Sequence, residues 1–127
     1  MLMNFTKRRT QVEPKELALK ICKILSDKKA KDITMIDVNR MTIIADYFVI
    51  VSASSNTAVK ALAQELEYQM SEKYNRNPTR SEGMQEGRWV AMDFSEVIVH
   101  IFYEETRKFY QLERLWTDGE NVTVFQD

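Results

Sequence analysis

The stretch RWVAMDFSEVIVHIFYEETRKFYQLERLW, residues 88–116, decides the fold of this chain. Its β-branched and aromatic runs predict one strand over Arg88–Asp93 and a second over Val97–Tyr103. Residues 94–96 form a connection short enough for a hairpin. A helix is predicted from Glu104, because an acidic side chain stabilises the positive end of a helix dipole. We expect the buried side of this helix to carry Phe109, Leu112, Leu115 and Trp116.

Upstream of this stretch, the periodicity of apolar residues predicts two helices and two strands. A first helix should run from Pro14 to Lys28 or Lys29, because proline is tolerated in a first helical turn. Strands are predicted over Asp32–Asn39 and Tyr47–Ser52. A second helix is expected over Asn56–Tyr74, with the hydroxyl of Ser54 or Ser55 as its N-cap. Residues 79–87 are predicted to be a polar loop.

The predicted order of elements is therefore α-β-β-α-β-β-α. The strand–helix–strand crossover in its middle implies at least one parallel pair, and the hairpins make the remaining pairs antiparallel. We predict an α/β (α+β) domain with a mixed sheet of four or five strands packed with helices. The domain is expected over residues 12–117, after a leader at 1–11. In the C-terminal tail, residues 118–127, the segment Val122–Phe125 either adds a short strand or frays.

Composition excludes several classes of protein. The net charge of −1 provides no global basic surface for DNA or RNA. Lys7-Arg8-Arg9 is a local exception, and we interpret it as a solvated end, with contact to RNA phosphates as the alternative. The single cysteine, Cys22, excludes internal disulfides and is expected to be buried in the first helix. Neither a signal peptide nor a run of transmembrane length is evident, which predicts a cytoplasmic protein without a membrane partner.

Polar residues near the hairpin raise the question of catalysis. Asp46, Asp93 and Glu96 are the acids that could bind magnesium, but a carboxylate at a strand end, as at Asp93, commonly forms a turn. His100 is the only histidine, and no cysteine or nucleophile motif accompanies it. The serines at 52–55 lack the glycine and lysine of a phosphate-binding loop. We favour structural roles for all of these residues and predict no metal and no cofactor.

Trp89 indicates a binding surface. Period-two alternation places Trp89, Ala91 and Asp93 on one face of their strand. If the first two helices cover the opposite face, Trp89 lies beside His100 or Phe102 on the other face, and we expect these side chains to be partly exposed. An aromatic side chain ringed by charged residues is typical of a protein-binding hot spot. The alternative is that Trp89 only fills a core.

The last helix extends this pattern. Arg107, Tyr110 and Arg114 recur at a spacing that places them on one side of a continuous helix, with Glu113 adjacent. Such a side is either a solvated surface with weak internal ion pairs or the rim of a binding site. The sequence leaves both readings open.

Several short segments, taken together and in their order along the chain, resemble those of a known family. The segments are Ile44–Ile50, Ser52–Ser55, Glu82-Gly83, Trp89-Val90, Asp93, Val97–Phe102, Arg107, Phe109-Tyr110 and Leu112–Trp116. The family that they resemble is the ribosomal silencing factor family, also called Iojap-like. The resemblance extends over residues 13–117. The leader through Gln11 and the tail from Thr117 lie outside this resemblance.

The resemblance implies a nucleotidyltransferase-like fold without the catalytic apparatus of true nucleotidyltransferases, and hence no enzyme activity. It implies a translational repressor that binds the fourteenth protein of the large ribosomal subunit and sterically blocks joining of the small subunit, notably under nutrient limitation. It also implies a homodimer when free and little direct contact with RNA. The alternative is an enzyme of nucleotidyltransferase type that uses Asp46 and Asp93 with magnesium.

The family's docking surface can be carried onto this sequence position by position. It would combine sheet and hairpin residues with residues of the last helix. The expected partner-binding residues are Trp89, Asp93, His100, Phe102, Arg107, Tyr110 and Glu113.

Overall fold

The computed structural model describes residues 13–127, in which six strands form one mixed sheet between helices. The helices are α1 (Pro14–Asp27), α2 (Asn56–Tyr74), α3 (Glu104–Tyr110) and α4 (Leu112–Trp116). The strands are β1 (Lys31–Asp37), β2 (Tyr47–Ala53), β3 (Arg80–Glu82), β4 (Trp89–Asp93), β5 (Val97–Tyr103) and β6 (Val122–Val124). The basic triplet at positions 7–9 lies outside the described residues.

The strands lie in the order β3-β4-β5-β2-β1-β6. Among the strands of residues 13–127, only β2 and β5 run parallel, from the pair Tyr47 and Val97 to the pair Ala53 and Tyr103. The predicted mixed sheet with a parallel pair is confirmed. The parallel partner of β2 is β5, however, because β4 pairs antiparallel with β5 and lies on its far side.

The predicted strand count of four or five is too low. The strand β3 lies in the segment that was expected to be a polar loop. The strand β6 corresponds to the first of the two alternatives for Val122–Phe125, a short strand within the tail. All residues of both strands are exposed, so neither strand carries the alternation that reveals a half-buried strand. Their conformation depends on hydrogen bonding to β4 and β1 at the two edges of the sheet.

Helices α1 and α2 cover one face of the sheet and enclose the larger core. Ser55 accepts the backbone N–H of Ala58 at 3.0 Å, which confirms the predicted N-cap of α2. Cys22 is fully buried in this core, and burial raises the pKa of its thiol to about 12. The expectation of a buried thiol is confirmed. None of the helices described is long and apolar enough to cross a membrane.

Helices α3 and α4 lie against the opposite face, where Leu112 packs with Phe48, Ile50 and Phe102 in a second, smaller core. The single helix expected here is interrupted at Gln111, whose backbone is left-handed with a φ of 50°. A left-handed residue changes the direction of the chain, so residues before and after it no longer share a helix side.

This interruption overturns part of the predicted buried side. Phe109 and Leu115 are 80% and 76% exposed, whereas Leu112 is buried and Trp116 is partly buried. It also separates Arg114 from the side of α3 that carries Arg107. Helical spacing applies only within a continuous helix, and the sequence around Gln111 gave no glycine or proline to mark its end.

Candidate protein-binding face

Part of the second sheet face remains accessible beside α3 and α4. On β4, Trp89, Ala91 and Asp93 are partly exposed, while the residues between them are buried. Ile98 of β5 lies opposite Asp93 and is also partly exposed. Tyr110 of α3 is 54% exposed and its ring lies 5.3 Å from that of Trp89. We call these five residues the β4 face.

Charged side chains border the β4 face. Arg80 and Glu82 of β3 lie opposite Asp93 and Ala91, so their side chains project from the same side of the sheet. Arg80 and Glu82 lie 3.8 Å apart and are both largely exposed. The carboxylate of Asp93 accepts the backbone N–H of Ser95 at 2.8 Å, which confirms its role in the hairpin turn. The face therefore has an aromatic and aliphatic centre with a charged rim.

Trp89 is fixed by a cluster of rings. Its indole lies 4.7 Å from the ring of Phe102 and 5.9 Å from that of His100, measured between centroids. Its Nε1–H donates to Nδ1 of His100 at 3.0 Å. Trp89 thus packs on the smaller core with one side and contributes to the surface with the other.

His100 and Phe102 lie behind this surface. His100 is 8% exposed and Phe102 is 0% exposed, so the expectation that these residues are partly exposed is wrong. Trp89 covers them from β4, and the helices after β5 close the same side of the sheet. Burial lowers the pKa of His100 to about 4, so the imidazole is neutral near pH 7. Its Nε2 has no hydrogen-bond partner among residues 13–127.

Arg107 joins α3 to the sheet instead of pointing outward. Its guanidinium donates to the Asp32 carbonyl at 2.7 Å, to the Ser52 hydroxyl at 2.9 Å and to the Thr34 hydroxyl at 3.2 Å. Its Nε donates to a carboxylate oxygen of Glu113 at 3.1 Å. The side chains of Arg107 and Glu113 are only 13% and 27% exposed. Of the three partner-binding residues predicted on the last helix, only Tyr110 is largely accessible.

Sequence reasoning missed two accessible apolar residues. Phe109 makes an edge-to-face contact with Tyr110 at 5.0 Å, and it was expected in the core. Ile98 was not singled out at all, although its alternation with the buried Val97 and Val99 places it on the same face as His100. That alternation was the signal that could have found Ile98. No local signal could have found Phe109, because its exposure depends on where α3 lies.

Gly83 brings the loop before β4 against the backbone of Trp89. Its φ is +93°, and a Cβ built on it would lie 2.0 Å from the carbonyl oxygen of Trp89. Only glycine fits such a close approach in this conformation. The Glu82-Gly83 pair therefore supports the position of β4 at the binding face.

The acids considered for magnesium each have a structural partner. Asp46 accepts a hydrogen bond from the side chain of Asn39, and Glu96 pairs with Arg76 at 2.6 Å. Asp93 holds the hairpin turn. In the part of the chain that the structure describes, no three His, Cys, Asp or Glu residues are grouped to hold a metal ion.

Known proteins resemble this chain in both sequence and fold. A family model described as ribosomal silencing factor during starvation matches residues 11–127. The ribosomal silencing factor of Bacillus subtilis (strain 168) is 39% identical over 93 residues, which cover 73% of this chain and 78% of that protein. A Mus musculus protein named mitochondrial assembly of ribosomal large subunit protein 1 is 33% identical over 96 residues, covering 74% of this chain and 42% of that protein. A crystal structure of a Chromobacterium violaceum protein has a TM-score of 0.79 and 29% identity, covering 91% of this chain and 95% of the other.

Proposed function

The chain belongs to the ribosomal silencing factor family, and from that premise we propose that it represses translation by binding the large ribosomal subunit. Its contact there would be the fourteenth protein of that subunit, on the surface that meets the small subunit. Binding would then block joining of the two subunits, notably under nutrient limitation. The name of the mouse relative, which refers to the large subunit, supports the choice of subunit.

The observation that carries this proposal is the β4 face. It presents Trp89 and Tyr110 together with Ile98, and aromatic side chains of this kind dominate the energetics of protein interfaces. Arg80 and Glu82 at its border offset each other, so the carboxylate of Asp93 within the face leaves a negative charge. That charge suits a partner with a basic surface, as expected of a protein embedded in RNA. The proposed contact is therefore with protein, and direct contact with RNA plays little part.

The predicted partner-binding residues divide into two groups within this proposal. Trp89, Asp93 and Tyr110 contact the partner, because they are at least partly exposed. The other four hold those contacts in place from behind or from the joint between α3 and α4. They are His100, Phe102, Arg107 and Glu113.

The proposed mechanism is steric and needs no chemical step. A standard interface buries about 800 Å² on each partner, which one face of a small domain can supply. The remaining body of the protein, with α1 and α2 on the far side of the sheet, would then occupy space that the small subunit requires. No catalytic group is invoked.

Co-sedimentation with purified large subunits tests the proposal. Trp89→Ala and Tyr110→Ala should each weaken binding by about tenfold or more, because truncating a hot-spot residue costs roughly 2 kcal/mol or more. Tyr68→Ala is the matched control, since Tyr68 is an exposed aromatic residue on α2, behind the opposite sheet face. Circular dichroism must first establish that the variants are folded.

The outcome is read from both binding and subunit joining. Light scattering of mixed subunits should show that the unmodified protein inhibits joining and that the two β4-face variants do not. Wild-type affinity in both folded variants would refute the assignment of the face. Failure of the unmodified protein to co-sediment would refute the function itself.

We also propose that the free protein forms a homodimer through the same face. The exposed ring of Tyr110 lies beside Trp89, and the exposed ring of Phe109 packs on Tyr110. Exposed apolar clusters of this kind mark interaction sites. Sedimentation equilibrium over a range of concentrations would reveal a dimer. Adding large subunits should dissociate it, whereas a dimer that persists on the subunit would require a different face.

A further inference from the structure

Trp89 and His100 form a hydrogen-bonded pair in which each side chain restricts the orientation of the other. They lie on adjacent antiparallel strands, where His100 is directly opposite Ala91 and Trp89 is opposite Phe102. The indole therefore reaches diagonally across the hairpin to the imidazole. The resulting hydrogen bond, from Trp89 Nε1 to His100 Nδ1, has a length of 3.0 Å.

The direction of this bond fixes the tautomer of the histidine. An indole N–H can only donate, so Nδ1 of His100 must be the unprotonated, accepting nitrogen. The proton of the neutral ring is then on Nε2, which lies in the apolar interior. A second proton on Nδ1 would remove the acceptor and bury a charge. Burial opposes that state, consistent with a pKa lowered to about 4.

The surroundings leave the imidazole little freedom. The ring of Phe48 meets it edge to face at 5.0 Å, and the ring of Phe102 lies 6.4 Å away. The imidazole is consequently a fixed acceptor held by the smaller core. A fixed acceptor restricts rotation of the indole, which would otherwise be limited only by contacts on its buried side.

We propose that His100 is a positioning residue for the β4 face, holding the Trp89 indole in one orientation so that the partner meets its ring surface and not its N–H. This inference rests on the proposed docking role of Trp89. It assigns a function to a buried histidine that does not itself contact the partner. A pre-oriented aromatic side chain loses less conformational entropy on binding, which favours affinity.

The first test measures the indole N–H directly in the free protein. In nuclear magnetic resonance spectra, the Trp89 indole proton should exchange with solvent slowly, and His100→Leu or His100→Gln should accelerate that exchange by about tenfold or more. His100→Asn should restore slow exchange, because an Asn oxygen occupies nearly the position of Nδ1, whereas the Gln oxygen corresponds to Nε2. The indole of Trp116 provides the reference signal within each variant.

Two results would overturn the inference at this stage. One is equal exchange at Trp89 in the unmodified protein, His100→Leu and His100→Gln. The other is an Asn variant whose Trp89 indole proton exchanges as fast as in the Leu variant. The hydrogen-bond acceptor at position 100 would then not be the cause of slow exchange. Because this test needs no ribosome, its result is independent of the proposed function.

The second test measures affinity for large subunits in a double-mutant cycle. Trp89→Phe and His100→Leu each remove the hydrogen bond between the two rings, so each should weaken binding severalfold. The double variant should bind no more weakly than either single variant, because the bond can be lost only once. Additive losses would contradict action through Trp89, and a loss in Trp89→Phe far larger than in His100→Leu would contradict the claim that the partner does not use the N–H.

Discussion

Arg107 and Glu113 form an ion pair across the break between α3 and α4, with 3.1 Å between Nε and the carboxylate oxygen. The same guanidinium reaches Ser52 and Thr34 on the two strands beneath. One side chain thus fixes two short helices to each other and to the sheet. Neither helix is long enough to be stable alone, so both depend on these contacts of Arg107 to keep their position on the sheet.

Replacing Arg107 should therefore destabilise the fold. Arg107→Ala is expected to lower the free energy of unfolding by about 3 kcal/mol, because it leaves Glu113 and the two hydroxyls without their partner. Arg107→Lys should rescue only part of this loss, because an ammonium group cannot reproduce the guanidinium fork. Urea denaturation provides the measurement. Arg114→Ala, on the exposed side of α4, should stay within about 0.5 kcal/mol of the unmodified protein.

Gly83 and Gly119 provide a matched pair for testing the support of Trp89. Both have a φ near +93°, but a Cβ at Gly119 would meet nothing within 4 Å, whereas one at Gly83 would collide with the Trp89 carbonyl. Gly119→Ala should cost about 1 kcal/mol for its backbone conformation alone. Gly83→Ala should cost clearly more in thermal unfolding and should also weaken binding to large subunits. Equal effects of the two substitutions would mean that the loop adapts without moving Trp89.

Stability should fall in mild acid because of His100. Its pKa is lowered from 6.5 in an ordinary environment to about 4 in the fold, so the unfolded chain binds this proton more readily than the folded one. The stability that the neutral His100 contributes to the fold is therefore fully retained above pH 6.5. It is lost progressively as the pH falls towards 4, by about 3 kcal/mol in total. Chemical denaturation at a series of pH values measures it. His100→Asn should lack this part of the pH dependence, and an unchanged profile in that variant would assign the acid sensitivity to other groups.

Substitutions at Phe102 and Tyr110 should distinguish a core residue from a surface residue by their effects on stability and binding. Phe102→Ala should lower the free energy of unfolding by about 4 kcal/mol, since it removes a fully buried ring. Tyr110→Ala should change stability by less than about 1 kcal/mol, because that ring is half exposed. Their effects on binding should have the opposite ranking once the affinity is corrected for the folded fraction. A strong stability loss in Tyr110→Ala would place its ring in the core.

The sequence alone predicted much of the candidate site. The alternation that puts Trp89, Ala91 and Asp93 on one face is confirmed, as is the turn-forming role of Asp93. The exposure of His100 and Phe102 was predicted wrongly. Alternation assigns a residue to a face of the sheet, but it does not say which part of that face a later helix or a neighbouring indole covers.

The sequence by itself determined the central elements: α1, α2, β2 and β5 follow from apolar periodicity, a proline at a first turn and a serine cap. Only the tertiary structure decided the edge strands β3 and β6, the break at Gln111 and the inward direction of Arg107. The physical reason is the range of the interactions. Periodicity and caps act within a few residues, whereas edge pairing, the hydrogen bonds of Arg107 to residues about 55–75 positions away and the burial of His100 beneath Trp89 exist only once distant segments meet.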